Sequence, residues 1–308
     1  MDINNSVFCL ANDRAYQQWR EAKLTDFNGD IKGLMVAIED ITTPRHSTIL
    51  TLSDQIKRYN MGFYSIKTLP KNPPKDPTQN KTNISRLAAL LGLNRLDHNL
   101  CANEDKFSSI TVSQHKNQHQ YIPYSNRRLS WHTDGYYNTP SQQINAFILH
   151  CEQPAKTGGE SLLLDYEIAY ILLRDENPDY INALVQANAM TIPANILKGK
   201  VIRPAQSGPV FSFNPTSGHL HMRYSARQRN IEWQQDSITL EAKVFLETLW
   251  EYGSPYILRH TLQANEGIIC NNVLHYRTAF KDHHNPQKKR LLYRGRYLDR
   301  VSASFCNI

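Results

Sequence analysis

Leu129-Ser130-Trp131-His132-Thr133-Asp134-Gly135 reads as a short strand running into a glycine turn, and it carries an imidazole and a carboxylate two residues apart. Alternate residues of a strand share a face, so His132 and Asp134 point to one side and Thr133 to the other. Both can then bind one ion. A neutral nitrogen and a hard oxygen, joined by a distant second histidine, make the two-His-one-carboxylate face that leaves open positions on non-haem Fe(II). A His-x-Asp triplet also occurs in turns and surface pairs, so the rest of the chain must supply the third ligand and the sheet.

Downstream of this stretch short apolar or alternating runs dominate: Ser109 to Ser113, Ile144 to Cys151, Ser161 to Asp165, Pro209 to Phe213, Leu220 to Tyr224, Tyr256 to Leu262, Ile268 to Cys270 and Leu291 to Leu298. These are strand signals, separated by turns such as Gly158-Gly159 and Ser217-Gly218. Two helical insertions, Tyr166 to Ala187 and Ser237 to Tyr252, interrupt them. The expected core is a closed or sandwiched antiparallel sheet with helices outside it. Upstream, Ala11 to Phe27, Ser47 to Met61 and Ile84 to Leu93 read as helices, with a strand at Gly62 to Ile66. Pro70, Pro73, Pro74 and Pro77 mark Leu69 to Lys81 as a surface loop and candidate lid. With no Ser/Gly/Pro linker, residues 1–308 are expected to form one domain, a mainly helical part over 1–108 and a β core with helical insertions over 109–308.

The 308 residues are 40% hydrophobic and 20% charged, the balance of a soluble globular protein. No run of eighteen apolar residues occurs and Met1-Asp2-Ile3-Asn4-Asn5 does not resemble a leader, so neither membrane spanning nor secretion is expected. Five cysteines, odd in number and without a Cys-x-x-Cys pair, indicate a reduced, cytoplasmic setting. A net charge of +7 brings anionic partners into consideration. The basic residues are scattered, however, and the two densest groups, Lys288-Lys289-Arg290 with Arg294 and Arg296, and Arg223 with Arg227 and Arg229, match no nucleic-acid-binding motif. A small-molecule substrate is the better expectation.

The third ligand candidate is His275, in Cys270-Asn271-Asn272-Val273-Leu274-His275-Tyr276-Arg277-Thr278-Ala279-Phe280, just past the Gly267-Ile268-Ile269 strand. A basic strand follows, in which Arg290 and Arg294 share a face because an even number of residues separates them. A guanidinium there can hold a carboxylate bidentately. Other histidines compete less well. His150 precedes Glu152 by two, but it ends the apolar run Ala146-Phe147-Ile148-Leu149, where a packed histidine is the commoner explanation. His219 and His221 lack a neighbouring carboxylate, and His283-His284 reads as a solvated loop.

Taken together, His132-x-Asp134, Gly158-Gly159-Glu160-Ser161, the Asn-x-x-x-His-x-Arg-x-Ala-Phe phrase around His275 and Arg290-x-x-x-Arg294 resemble the taurine dioxygenase and γ-butyrobetaine hydroxylase (TauD/TfdA) family. The order and separations match over about the last two hundred residues. The resemblance implies a double-stranded β-helix, a jelly-roll-like barrel, and an oxidoreductase that uses Fe(II), 2-oxoglutarate and O2 and releases succinate and CO2. It implies that His132, Asp134 and His275 hold the iron. It also implies that Arg290 binds the distal carboxylate of 2-oxoglutarate, that Ser161 adds a hydroxyl where a threonine is usual, and that Arg294 contacts the cosubstrate or an anionic end of the substrate. Three protein ligands leave room for 2-oxoglutarate to chelate and for O2 to bind. Asp134 favours hydroxylation, since related halogenating enzymes lack this carboxylate.

Trp131, Tyr136, Tyr137, Tyr224 and Trp233 are candidate aromatic walls for a substrate, and core residues equally. Arg223 and Tyr224 belong to an Arg-Tyr-Ser portion that resembles a segment approaching the site in the family. The expected substrate is a small polar metabolite, amino-acid derivatives with a carboxylate included. Two other classes stay open: a nucleic-acid-acting oxygenase or binding protein, on net charge alone, and a non-catalytic metal-binding β-barrel using the same ligands.

Overall fold

A computed structural model of the chain describes residues 6–67, 77–97, 107–112, 122–197, 199–214, 216–227 and 231–302. Two compact units are built from interleaved segments: Met1–Gly29, Ser130–Ser141 and Leu164–Ile257 form the first, and Asp30–Leu129, Gln142–Leu163 and Leu258–Ile308 the second.

The second unit holds the main sheet. Its strand order is Met35–Ile38, Met61–Ile66, Glu266–Cys270, Ala146–Gln153, Leu291–Tyr297, Ser108–Ile110. The apolar run Ala146–Gln153 sits in the interior of this sheet and pairs antiparallel with Glu266–Cys270 on one side and Leu291–Tyr297 on the other. A strand paired on both edges and covered by side chains needs such a run. The sheet is not wholly antiparallel as the sequence suggested: Met35–Ile38 pairs parallel with Met61–Ile66. The helix His46–Tyr59 supplies the crossover that parallel pairing requires. Its buried Ile49, Leu52 and Ile56 recur at helical spacing and join Leu87, Ile148, Ile269 and Tyr297 in one apolar core. Asn60, at φ 56°, ends that helix in the left-handed conformation asparagine tolerates, two residues before the expected end at Met61.

A smaller sheet has the order Leu258–His260, Ser161–Leu164, Leu274–Arg277, Leu129–His132. The expected lid over Leu69 to Lys81 lies outside the described residues as far as residue 76. From Pro77 onward the chain is helical, over Pro77–Leu90, so the end of that stretch is helix and the helix expected from Ile84 begins a full two turns earlier.

The first unit packs helices with short strands. Tyr166 to Ala187 is two helices, Tyr166–Glu176 and Pro178–Leu184, where the sequence suggested one. The break is chemical. Pro178 drives the residue before it out of the helical region, Asn177 is extended, and its side chain caps the second helix by accepting from the Asp179 N–H. Ser237–Glu251 is a single helix, capped by Asp236. Lys23 lies buried between Asp165 and Glu167, at 2.7 and 2.6 Å. Gln206–Gly208, Met190–Ile192 and Glu232–Trp233 form a three-stranded sheet. Among the described residues no helix is long and apolar enough to cross a membrane, and Cys9 and Cys151 are free thiols.

Candidate active site

In the first unit, Trp131 and Thr133 are zipped to the segment Tyr224 to Ala226. The Thr133 N–H donates to the Tyr224 carbonyl at 3.0 Å, the Thr133 hydroxyl accepts from the Tyr224 N–H at 3.1 Å, and the Ala226 N–H donates to the Trp131 carbonyl at 2.8 Å. Thr133 is thus committed away from its neighbours, as strand alternation requires. His132 and Asp134 are both buried, with Nε2 and Oδ1 3.8 Å apart. Gly135 then turns the chain at φ 70°, a conformation that suits glycine, and its carbonyl accepts from Asn138 N–H at 2.8 Å.

His132 Nδ1 lies 2.8 Å from the Ser130 carbonyl, and in the second unit His275 Nδ1 lies 2.9 Å from the Val273 carbonyl. A carbonyl only accepts, so each Nδ1 carries the proton and each Nε2 presents a lone pair. This is the backbone anchoring that orients metal-binding imidazoles. His132, Asp134 and His275 each offer a ligand atom, an imidazole nitrogen or a carboxylate oxygen. Two neutral nitrogens and one carboxylate oxygen are a donor set for a first-row divalent metal with coordination positions left over.

Beside His275 the second unit encloses a cavity of about 60 Å³. Its walls are apolar, with Ile110, Phe147, Leu149, Leu163 and Ile268, and its polar groups include Ser161, His275, Arg277, Arg290 and Arg294. Phe147 packs on the His275 ring at 4.8 Å. Arg290, just before the strand Leu291–Tyr297, and Arg294, within it, both line this cavity. Burial lowers the Arg290 guanidinium to about 10, against opposing pulls from Cys151 and Asp282. Asp282 accepts only the Arg290 backbone N–H, at 2.9 Å. A cation so buried in an apolar cavity calls for an anion.

Gly159 packs beside that arginine in a left-handed turn, at φ 76°, a conformation that suits glycine, and a Cβ there would make ordinary contact with Arg290 Nε and Phe280, at 3.4 and 3.5 Å. The Phe280 ring has Arg290 and Arg277 each 4.9 Å from its centroid. Arg277 is held by the Pro123, Ser125 and Arg127 carbonyls, and burial followed by repulsion from Arg290 lowers it to about 9. From sequence, Arg277 and Phe280 entered only as part of the phrase around His275, with no role assigned, and Phe147 was given no site role. For Arg277 a signal existed, since it stands two residues beyond His275 on the same strand and therefore on the same face.

The suggested substrate residues lie in the first unit. Trp131 is buried and stacks on Trp250 at 5.4 Å, and Tyr224 is fully buried with its ring 5.5 Å from that of Trp250 and 6.1 Å from that of Trp233. These are core positions. Arg223 is spent on the backbone: its guanidinium donates to the carbonyls of Tyr136, Met190, Gln206, Gly208 and Pro209. One of those bonds braces the turn that follows Asp134. Tyr136 lies edge-on to His132, ring centres 6.3 Å apart, and Tyr137 lies edge-on to Tyr136 at 5.2 Å.

The competing histidines are accounted for. His150 is buried, stacks on Tyr64 and is hydrogen-bonded to its hydroxyl at 3.0 Å, while Glu152 accepts from Asn80. His219, His221, His283 and His284 join no three-ligand group among the described residues.

The family model described as "Taurine catabolism dioxygenase TauD, TfdA family" matches residues 74–296. A uridine-5'-phosphate dioxygenase from Amycolatopsis sp is 28% identical over 184 residues, which span 56% of this chain and 62% of that protein. Among solved structures, an asparagine oxygenase in complex with Fe(II), 2S,3S-3-hydroxyasparagine and succinate superposes with a TM-score of 0.61 at 15% identity, over 84% of this chain and 81% of that one. The non-heme iron oxygenase OrfP, in complex with Fe and alpha-ketoglutaric acid, gives 0.61 at 14% identity, over 86% and 82%. The chain therefore has the fold of these oxygenases.

Proposed function

Because the chain belongs to the taurine catabolism dioxygenase TauD, TfdA family, we propose that it is an Fe(II)- and 2-oxoglutarate-dependent oxygenase that hydroxylates an unactivated C–H bond of a small polar metabolite, releasing succinate and CO2. The observation that carries this reading is the donor set: two backbone-anchored imidazoles, His132 and His275, and the Asp134 carboxylate. The six-stranded and four-stranded sheets are read as the two faces of a double-stranded β-helix. Residues 1–308 are read as one oxygenase domain, since each unit draws on three separated segments.

His132, Asp134 and His275 would hold the iron through two Nε2 atoms and a carboxylate oxygen. When bound, Fe(II) with 2-oxoglutarate and O2 supplies oxidative decarboxylation and the oxidant for a C–H bond. The chain's own part is placement. Arg290 takes the distal carboxylate of 2-oxoglutarate, which supplies the counter-charge that its apolar surroundings lack, and the Ser161 hydroxyl donates a second bond. Arg294 lines the same cavity and adds positive charge. Phe147, Leu163 and Ile268 keep water from the reacting end.

Uridine 5'-phosphate, 3-hydroxyasparagine and 3-hydroxyarginine are the small polar molecules named for the related proteins, which supports a substrate of that size and polarity. Five scattered cysteines without a Cys-x-x-Cys pair support a reduced, cytoplasmic setting.

The test is anaerobic titration with Fe(II) and 2-oxoglutarate. A visible metal-to-ligand charge-transfer band is expected, lost in His132→Ala and His275→Ala, together with succinate formation on admission of O2. A protein without the band, or one that keeps it in both variants, would not be this enzyme.

A further inference from the structure

Three arginines gather about the two tyrosines that follow Asp134. Arg223 has committed its donors to backbone carbonyls. Arg203 donates to the Pro204 and Pro193 carbonyls at 2.8 and 2.7 Å, which fixes its guanidinium with Cζ 5.8 Å from the Tyr137 ring centre. Arg227 is exposed and stands 5.9 Å from the Tyr136 ring centre. Among the described residues no Asp or Glu forms an ion pair with any of the three. The charges of Arg203 and Arg223 are mutually felt: burial lowers Arg223 to about 10, with Arg203 adding to it.

Like charges held together without a counter-charge cost free energy unless an anion visits them. A half-buried, backbone-anchored arginine beside a free-standing exposed one, over an aromatic wall, is suited to an oxyanion, since guanidinium forks match its geometry. We propose that Arg203 and Arg227 recognise an oxyanion of the substrate, a phosphate monoester or a carboxylate, with Tyr136 and Tyr137 as the wall beside it. This rests on the oxygenase reading and assigns the substrate's charge within it. Arg223 then serves as the brace that sets the Tyr136 backbone.

The protein loaded anaerobically with Fe(II) and 2-oxoglutarate is titrated calorimetrically with two matched pairs, uridine 5'-monophosphate against uridine and L-asparagine against L-asparaginamide. In one pair the anion is expected to bind at least about tenfold tighter than its neutral-ended partner, and the pair that does so tells phosphate from carboxylate. Arg203→Gln with Arg227→Gln should abolish that difference, and exposed Arg14→Gln should leave it intact. If the double variant fails to fold, Arg227→Glu alone should reverse the preference. No preference in either pair, or one that survives these changes, overturns the proposal. The charge-transfer band and succinate formation, read on the same wild-type preparation, separate this failure from failure of the oxygenase reading.

Discussion

His150 should make this protein acid-sensitive, by an amount the structure sets. Its ring is buried against Tyr64, with Nδ1 hydrogen-bonded to the phenol oxygen at 3.0 Å, and burial lowers its pKa from 6.5 to about 4. A base whose folded pKa is depressed is bound neutral by the fold. The unfolded chain therefore takes up protons first as the pH drops. The contribution of His150 is fully present above about pH 6.5 and is lost as pH falls toward 4. A gap of about 2.5 units is worth about 3 kcal/mol at its limit, and about 2 kcal/mol is already lost at pH 5. His150→Gln keeps an acceptor for Tyr64 but does not titrate. Urea unfolding of both apoproteins at pH 7.5, 6 and 5 isolates the histidine, since all other groups are common to the two. The wild type should fall relative to the variant by about 2 kcal/mol across this range. Parallel profiles would refute the reasoning, because they would mean that His150 is hydrated or charged in the folded protein.

Arg290→Gln should weaken 2-oxoglutarate binding by roughly a hundredfold, as a desolvated charge-assisted pair would, while leaving Fe(II) binding near wild type in the same titration. Gly267→Ala should destabilise by about 1–3 kcal/mol in thermal or urea unfolding, because a Cβ there would overlap the Tyr64 ring, which is itself locked against His150. Lys23→Met should cost about 3–5 kcal/mol by leaving Asp165 and Glu167 buried without their cation, and adding Asp165→Asn and Glu167→Gln should recover most of the loss.

How much was legible in advance divides along a physical line. Strands announced themselves where burial on both faces demanded a continuous apolar run, as in Ala146–Gln153 and Glu266–Cys270. Met35–Ile38 did not, because four residues carry too little pattern, and its parallel pairing depends on where the helix His46–Tyr59 returns the chain. The helix boundary at Asn177-Pro178 was readable from proline chemistry, yet the apolar periodicity on both sides masked it.

The same line runs through the site. The sequence alone determined the ligand types, since the spacings of His132 with Asp134 and of Arg290 with Arg294 suggested shared faces, while the structure ends one strand at His132 and begins the other at Leu291. The sequence could not say which side chains would be consumed by the protein itself. Arg223, Arg227 and Arg203 are the same residue chemically. Only the tertiary structure spends Arg223 on five carbonyls, seats Arg203 between two prolines and leaves Arg227 exposed, because those assignments depend on which backbone oxygens happen to lack a donor after folding. Trp131 and Tyr224 were divided from Tyr136 and Tyr137 in the same way. An aromatic ring serves a core or a ligand equally well, and its neighbours, Trp250 in one case and arginines in the other, decide which surface it meets.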